Sequence, residues 1–314
     1  MSSDPNAANA ILIVGAPRSG TTWLAKIFDS HPDILYRHEP DEVSPPTGAI
    51  AADIARWARQ TDPRTAGKLP FFPKSWQSTP ARWLRTGLAY AGAAVSRAGL
   101  PDWPIPDLAD TGHARLAIKS VRLDTAIGAF ARTCRDGRAI LILRHPCGQV
   151  ASVMRGTRAS RFVLAEDGTD MPFDEANTIA FAARHGLRQT AFQRQTHAAK
   201  YAWAWRAFNE TAVAAIAGLP NARLTIYETL CVQTVAEAKT LLTFAGLSWH
   251  AQTATFLTRS TTHKGESGYY AVVQNSLAAA ERWRTTMSPA DQSAVRTVMR
   301  DSPLAQYWPD LTAR

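Results

Sequence analysis

Cysteine and metal-ligand patterns are both sparse in this chain of 314 residues. The three cysteines, Cys134, Cys147 and Cys231, are odd in number and widely spaced. That spacing excludes a disulfide framework and a zinc site of the CxxC type. The eight histidines show no HExxH motif or comparable ligand spacing. We therefore expect a mechanism without a metal.

Long apolar runs are also missing. No window approaches the ~18 uninterrupted apolar residues that a membrane span requires. The opening residues, "MSSDPNAANA", are polar and lack a basic stretch followed by an apolar one, so no secretory signal is predicted. Hydrophobic residues make up 46% and charged residues 19% of the chain, which is typical of a folded globular protein. The sequence predicts a cytoplasmic protein with one domain over residues 1–314.

Negative charge is scarce in one segment. Between Arg115 and Arg161 there are ten Lys or Arg residues and two Asp or Glu residues, a surplus of +8 within a chain of net charge +9. Such a surplus indicates an anionic ligand, nucleic acid or a membrane surface, or else a solvated basic face.

Short apolar runs followed by helical patterns are what the chain does have. They are the run beginning at Ile11, then "ARLAIKS" (114–120), "RAILILRHP" (138–146) and "ARLTIYETL" (222–230), with "DILYRHEP" (33–40) as a weaker candidate. Buried parallel strands with crossover helices have this signature. The predicted fold class is α/β, a P-loop-type twisted parallel sheet flanked by helices.

Residues 41–113 differ from the rest of the chain. They are rich in proline and hold two helical patterns, "IAADIARWARQ" and "ARWLRTGLAYAGAAVSRA", without a convincing strand. We interpret them as a helical insertion after the second strand that shapes the substrate side of the sheet.

The stretch "ILIVGAPRSGTTW" (11–23) predicts a phosphate-binding turn between a strand and a helix. Successive backbone N–H groups and the helix N-terminus attract an anion there, and Arg18 adds a planar cation. An ATP-type lysine just after Gly20 is absent. The loop residues that we expect to bind the ligand are Pro17, Arg18, Ser19, Gly20, Thr21 and Thr22.

A second anion element lies in "LILRHPCGQVASVMRG". Arg144 ends a predicted strand and Ser152 follows eight residues later, so the two side chains are able to converge on one phosphate. Each residue alone also fits a structural role.

Together these segments resemble the sulfotransferases that use 3′-phosphoadenosine 5′-phosphosulfate (PAPS). "PRSGTTWLAKIFDSHPD" and "YRHEP" are similar to the carbohydrate and tyrosylprotein branches. The resemblance implies that the loop binds the 5′-phosphosulfate and that Arg144 and Ser152 bind the 3′-phosphate. It further implies that Trp23 stacks on adenine and that Tyr227 approaches the nucleotide, although both also suit a core position.

A third segment, "HKGESGYY" (263–270), resembles the element that closes over the 3′-phosphate. Lys264 and Gly265 match it, whereas His263 stands where the family has arginine. A flexible surface loop is the alternative for this segment.

The resemblance also implies catalytic roles for Glu39, Arg18 and Lys119. Glu39 in "YRHEP" is the expected base for the acceptor hydroxyl, and Lys119 is similar to a strand-end lysine that assists the leaving group. Two histidines, His38 and His113, stay open as the base. Glu39 alternatively pairs with Arg37 or Arg18 as a structural carboxylate.

The predicted reaction moves a sulfuryl group from PAPS to a hydroxyl of a glycan, glycolipid or small molecule by in-line displacement, without a metal. One alternative is an ATP-dependent phosphotransferase, which needs the missing lysine and an Asp at a strand end. A nucleic-acid-binding module is the other, with a steep salt dependence of binding. Oligomeric state is not predicted.

Overall fold

The computed structural model describes residues 8–158, 173–262 and 276–312. Its centre is a parallel sheet with the strand order β2-β3-β1-β4-β5. The strands are β1 (Ile11–Val14), β2 (Ile34–His38), β3 (Arg115–Ser120), β4 (Arg138–Leu143) and β5 (Ala222–Ile226). The predicted α/β class is confirmed, and all five apolar runs contain a strand. The fifth run is shorter than predicted, because a helix begins at Tyr227.

Helices cover both faces of this sheet, as buried parallel strands require. Residues 8–158 contain α1 (Thr21–Asp29), α2 (Pro40–Val43), α3 (Ile50–Ala58), α4 (Pro63–Ala66), α5 (Thr79–Arg97), α6 (Ala126–Thr133) and α7 (Pro146–Arg158). Residues 173–262 contain α8 (Glu175–Arg184), α9 (Gln189–Gln193), α10 (His197–Ile216), α11 (Tyr227–Val232), α12 (Thr234–Phe244) and α13 (Ala251–Thr262). The last part contains α14 (Ser276–Glu281), α15 (Trp283–Thr286), α16 (Pro289–Met299), a 3₁₀ turn (Pro303–Tyr307) and α17 (Pro309–Thr312).

The alternation of side chains along β1 divides the core in two. Ile11 and Ile13 pack with α1 on one face, and Leu12 and Val14 pack on the other. All four side chains are fully buried. The central strand is thus fixed from both sides, and its carboxyl end holds the loop that follows it in one position.

The predicted insertion is helical in the structure. Between β2 and β3 the chain forms α2, α3, α4 and α5, and no strand occurs in residues 39–114. The division of the whole chain into one domain remains a prediction.

Helix α10 contains the segment "YAWAWRAF". Tyr201 and Trp205 are buried, and Phe208 packs against the same core cluster, so this aromatic stripe serves packing. Among the described residues, none of the helices combines the length and apolar character that crossing a bilayer requires.

Candidate active site

The loop between β1 and α1 has the shape of an anion cradle. Arg18 and Gly20 adopt positive φ values of 70° and 94°, and the backbone N–H of Ser19 bonds to the Ala16 carbonyl at 3.1 Å. A Cβ on Gly20 would lie 2.4 Å from the Tyr227 ring. Glycine is therefore required here for both its conformation and its lack of a side chain. The tight turn places the start of α1 at the carboxyl edge of the central strand.

The Ser19 hydroxyl has no hydrogen-bond partner, although the residue is completely buried. A buried hydroxyl left alone is unfavourable, so the loop favours a ligand that supplies an acceptor. This unpartnered donor beside the helix N-terminus fits a phosphate or sulfate oxygen.

Three residues that the sequence assigned to anion binding meet in the structure. Arg18 Nε donates to Ser152 Oγ at 3.2 Å, and Arg144 Nη1 donates to the Arg18 carbonyl at 3.0 Å. Arg144 is buried, and its Nε atom has no partner. The loop and the start of α7 thus form one cluster with two guanidinium groups, a chemistry that suits an anion.

The loop around Arg144 is held by contacts that the sequence did not reveal. Gln149 Nε2 donates to the Pro17 carbonyl at 2.8 Å, and the Arg144 carbonyl accepts from Trp205 Nε1 at 3.0 Å. Glu228 accepts from the His145 backbone N–H at 3.0 Å. Gln149 lies one turn into α7, five residues after Arg144. This spacing was the only feature of the sequence that pointed to its contact with the loop.

Trp23 and Tyr227 lie directly beneath the loop. They meet edge to face with ring centroids 6.3 Å apart, and Arg144 lies 4.5 Å above the Tyr227 ring centre. Trp23 Nε1 donates to Ser260 Oγ at 3.2 Å. Only 9% of Trp23 and 7% of Tyr227 are exposed, and both belong to the core cluster on this face. Both pack in the core on this face, and their contact with the nucleotide stays a prediction.

Glu39 and Lys119 form a direct ion pair between the ends of β2 and β3. The register pairs His38 with Lys119, so the next residue of the β2 chain meets the lysine. The Glu39 backbone N–H also bonds to the Lys119 carbonyl at 2.8 Å. Glu39 has a positive φ of 46°, a strained conformation for this residue type that aims its carboxylate at the sheet edge.

The pKa values of both members of this pair are shifted by their surroundings. Burial alone raises the pKa of Glu39, but the charge and hydrogen bond of Lys119 outweigh it and lower the pKa below its ordinary value. Burial lowers the pKa of Lys119, against the opposing effect of Glu39. Glu39 is thus ionised at neutral pH and able to accept a proton.

His38, the other open candidate for the base, lies beside this pair. Its Nδ1 atom is 2.7 Å from the Tyr36 hydroxyl and its Nε2 atom is 3.8 Å from Glu39 Oε1. Burial and the charges of Lys119 and Lys68 hold the pKa of His38 well below its ordinary value. A neutral imidazole is therefore the form present at pH 7. His113 lies in the turn before β3.

The suggested pairing of Glu39 with Arg37 does not occur. Arg37 is completely buried, and its guanidinium pairs with Asp107 at 2.6 Å and bonds to the Ala58 carbonyl. A further cation that the sequence did not single out lies near Glu39: Arg122 Nη1 is 3.9 Å from Glu39 Oε2.

Cys147 lies at the N-terminus of α7, but this position does not decide the pKa of its thiol. A helix start lowers a thiol pKa in general. Here burial raises the pKa of Cys147 to about 12. The thiol is therefore protonated and serves packing.

Lys264, Gly265 and His263 lie outside the described residues. In the ranges 8–158, 173–262 and 276–312, no group of three or more His, Cys, Asp or Glu side chains is arranged to hold a metal ion. Metal independence remains a prediction.

Comparison with known proteins identifies the family. A family model described as "Sulfotransferase family" matches residues 10–251, which is more than half of the chain. Comparison of the sequence with curated proteins gave no match.

The fold is similar to several solved structures. A mouse sulfotransferase, SULT7A1, complexed with PAP has 14% identity and a TM-score of 0.46, covering 96% of this chain and 87% of its own. The sulfotransferase domain of the Synechococcus PCC 7002 olefin synthase has 15% identity and a TM-score of 0.43, covering 94% and 95%. STF9 from Mycobacterium avium has 13% identity and a TM-score of 0.43, covering 95% and 76%. On the strength of the family match, the chain belongs to the sulfotransferase family, and the enzyme class predicted from its motifs is confirmed.

Proposed function

We propose that this enzyme transfers the sulfuryl group of PAPS to an acceptor hydroxyl by in-line displacement. The observation that carries the proposal is the contact between Arg18 and Ser152, with Arg144 bonded to the backbone of Arg18. It joins two anion elements, far apart in sequence, beside the unpartnered hydroxyl of Ser19. A ligand with a 5′-phosphosulfate and a 3′-phosphate has two anionic groups for these two elements.

The binding residues that we assign follow from this geometry. When bound, PAPS supplies an activated sulfuryl group and leaves as adenosine 3′,5′-bisphosphate. The loop backbone and Arg18 bind and orient the sulfate end, while Arg144 and Ser152 bind the 3′-phosphate. The other assigned residues are Pro17, Ser19, Gly20, Thr21 and Thr22 in the loop, Trp23 and Tyr227 near the adenine, and Lys264 and Gly265 from the segment outside the described residues.

Glu39 is the base in this proposal. It is ionised, lies at the carboxyl edge of the sheet and takes the proton from the acceptor hydroxyl as the oxygen attacks. Lys119 is buried on β3, which lies between β2 and the central strand β1. It donates a hydrogen bond to the oxygen on which negative charge builds when the leaving group departs. Arg18 supplies a second fixed cation.

No observation favours the phosphotransferase alternative. The lysine that such a loop carries after Gly20 is absent, and the ends of β3 and β4 carry Lys119, Ser120 and Arg144 in place of a metal-binding Asp. The acceptor that we propose is a glycan, glycolipid or small molecule with a free hydroxyl, and the expected location is the cytoplasm.

Calorimetric titration with adenosine 3′,5′-bisphosphate tests the cofactor assignment, with 5′-AMP and ATP plus magnesium as comparison ligands. We expect micromolar binding that requires the 3′-phosphate and falls at least about tenfold in Arg144→Ala. Arg135→Ala is the matched control, since Arg135 is an exposed arginine on the turn before β4. Circular dichroism of each variant separates loss of binding from loss of fold. Equal or tighter binding of ATP with magnesium would contradict the proposal.

A further inference from the structure

Helix α5 in the insertion turns an apolar face outward. Trp83 is 66% exposed, Leu84 57% and Tyr90 62%, and Leu100 just beyond the helix is 58% exposed. Trp83 and Tyr90 are seven positions apart, so two helical turns bring them to the same side. Four of the nine large hydrophobic side chains that are exposed in the described ranges lie here or in the turn that follows.

The opposite side of α5 is the one that packs on the protein. Arg85, Ala89 and Gly92 are buried, and Arg85 Nη2 bonds to the Ala66 carbonyl at 2.9 Å. The indole of Trp103 bonds to the Leu88 carbonyl at 3.2 Å. Since the inward side is already in contact with the protein, the outward aromatic face is not a core face.

The charge of this segment has one sign. From residue 63 to residue 101 there is no Asp or Glu, while the cations are Arg64, Lys68, Lys74, Arg82, Arg85 and Arg97. Arg97 is exposed, and the Arg82 guanidinium lies 5.3 Å from the ring centre of Trp83. Arg64, Lys74 and Arg85 are paired with carboxylates, so the positive charges that border the apolar face are those of Arg82 and Arg97.

Charge decides between the two possible occupants of this face. A second copy of the chain would place two cationic segments against each other, which is unfavourable. An anionic bilayer offers opposite charge, and Trp, Tyr and Leu beside Arg are the residues that lie at the level of lipid headgroups. We propose that α5 is an interfacial helix that binds the surface of an anionic lipid bilayer.

This face is joined to the acceptor side of the sheet by buried ion pairs. Arg85 on α5 pairs with Asp107 at 3.0 Å, and Asp107 pairs with Arg37 on β2 at 2.6 Å. Glu39 follows Arg37 by two residues. The helix that carries the apolar face is thus linked to the strand that precedes the proposed base. Lipid binding itself does not depend on the proposed transfer, because it needs neither cofactor nor acceptor.

Flotation with vesicles tests the proposal on the full chain. Vesicles of equal phosphatidylglycerol and phosphatidylcholine are compared with vesicles of phosphatidylcholine alone, at low and high salt. We expect binding to the anionic vesicles that weakens with salt, and a loss of about tenfold or more in the triple variant Trp83→Ser, Leu84→Ser, Tyr90→Ser. The double variant Arg82→Gln, Arg97→Gln should also bind anionic vesicles more weakly than the wild type does.

The control variant is Val232→Ser, Val235→Ser, which removes exposed side chains (66% and 49% exposed) at another site. Wild-type affinity in this control supports the assignment to α5. Failure of the wild type to float with anionic vesicles, or an equal loss in the triple variant and the control, overturns the proposal. A dimer in analytical ultracentrifugation that the triple variant converts to monomer, without vesicle binding, identifies a second copy as the occupant and also overturns it.

Discussion

Arg18 and Ser152 are 134 residues apart in sequence, yet the guanidinium Nε of one lies 3.2 Å from the hydroxyl of the other. The contact connects the loop after β1 with the second turn of α7, across two neighbouring parallel strands. Because β1 and β4 are paired in the sheet, their carboxyl ends bring the two anion elements to one crevice. A single ligand is then able to bind both.

Loss of the Ser152 hydroxyl should weaken nucleotide binding without unfolding the enzyme. In Ser152→Ala we expect the affinity for adenosine 3′,5′-bisphosphate to fall by roughly 3- to 30-fold, the effect of one or two hydrogen bonds to a charged group. Isothermal titration calorimetry measures it. Ser96→Ala, at an exposed position of α5, is the control. An unchanged affinity in Ser152→Ala would place the 3′-phosphate elsewhere.

Removal of the Glu39 carboxylate should stop turnover but not cofactor binding. We expect Glu39→Gln to lower kcat by roughly 10²- to 10⁴-fold, since a base is lost while the side-chain shape is kept. Steady-state kinetics and calorimetry measure the two effects. Glu42→Gln is the matched control, because Glu42 is an exposed neighbour 3.7 Å from Arg122. If Glu39→Gln retains full kcat, Glu39 is a structural partner of Lys119 only.

Both limbs of the pH profile of kcat should lie at lower pH than for unperturbed groups, because both members of the pair have lowered pKa values. The pKa of Glu39 lies below 4.5, so the carboxylate stays ionised and activity falls only when the pH drops through that lowered value. The pKa of Lys119 lies below 10.5, so its charge and the activity are lost at a lower pH than for an exposed lysine. Kinetics in constant-ionic-strength buffers measure both limbs. An acid limb that persists unchanged in Glu39→Gln would contradict the assignment of Glu39 as the base.

The sequence predicts much of this fold because its signals are local. Each buried strand shows as a short apolar run, and the loop at 15–22 shows its turn residues directly. The features that could not be predicted from the sequence depend on contacts between distant segments. The β2–β3 register makes Lys119 the partner of Glu39, whereas Arg37 pairs with Asp107 from the insertion. Burial, also a tertiary property, raises the pKa of Cys147 against the general effect of a helix start.

A buried charge cluster should dominate the stability of the insertion side. Lys26 Nζ lies 2.6 Å and Lys74 Nζ 3.0 Å from the Asp29 carboxylate, and all three side chains are largely buried. Asp29→Asn leaves two buried ammonium groups without a counterion, so we expect the free energy of unfolding to fall by roughly 3–5 kcal/mol. Urea denaturation measures it. In Asp33→Asn, where the carboxylate is 55% exposed, the loss should be within about 1 kcal/mol.

The effect of Asp29 should also depend on pH. Burial raises the pKa of Asp29, but the charges of Lys26 and Lys74 outweigh it and lower the pKa below 3.8. Its contribution is therefore complete above the pKa of the unfolded chain and is lost as the pH falls through the lowered folded value. The difference in free energy of unfolding between wild type and Asp29→Asn should be constant from pH 5 to 7 and shrink below about pH 4. A difference that grows on acidification would contradict the ion-pair assignment.

A side chain at Gly20 should destabilise the protein. The same substitution at Gly48 measures the part of that loss in free energy of unfolding that comes from the backbone conformation alone. The two glycines have nearly equal φ values of 94° and 93°, but a Cβ on Gly48 meets nothing within 4 Å, whereas one on Gly20 meets the Tyr227 ring at 2.4 Å. Gly48→Ala should therefore lower the free energy of unfolding only by the backbone term, about 1–2 kcal/mol. Gly20→Ala adds overpacking against a buried ring, roughly 1–3 kcal/mol more, and shifts the loop from its anion-binding shape. Denaturation and calorimetry with adenosine 3′,5′-bisphosphate measure both consequences. Equal stabilities of the two variants would show that Tyr227 moves aside freely, and the ring would then not fix the loop.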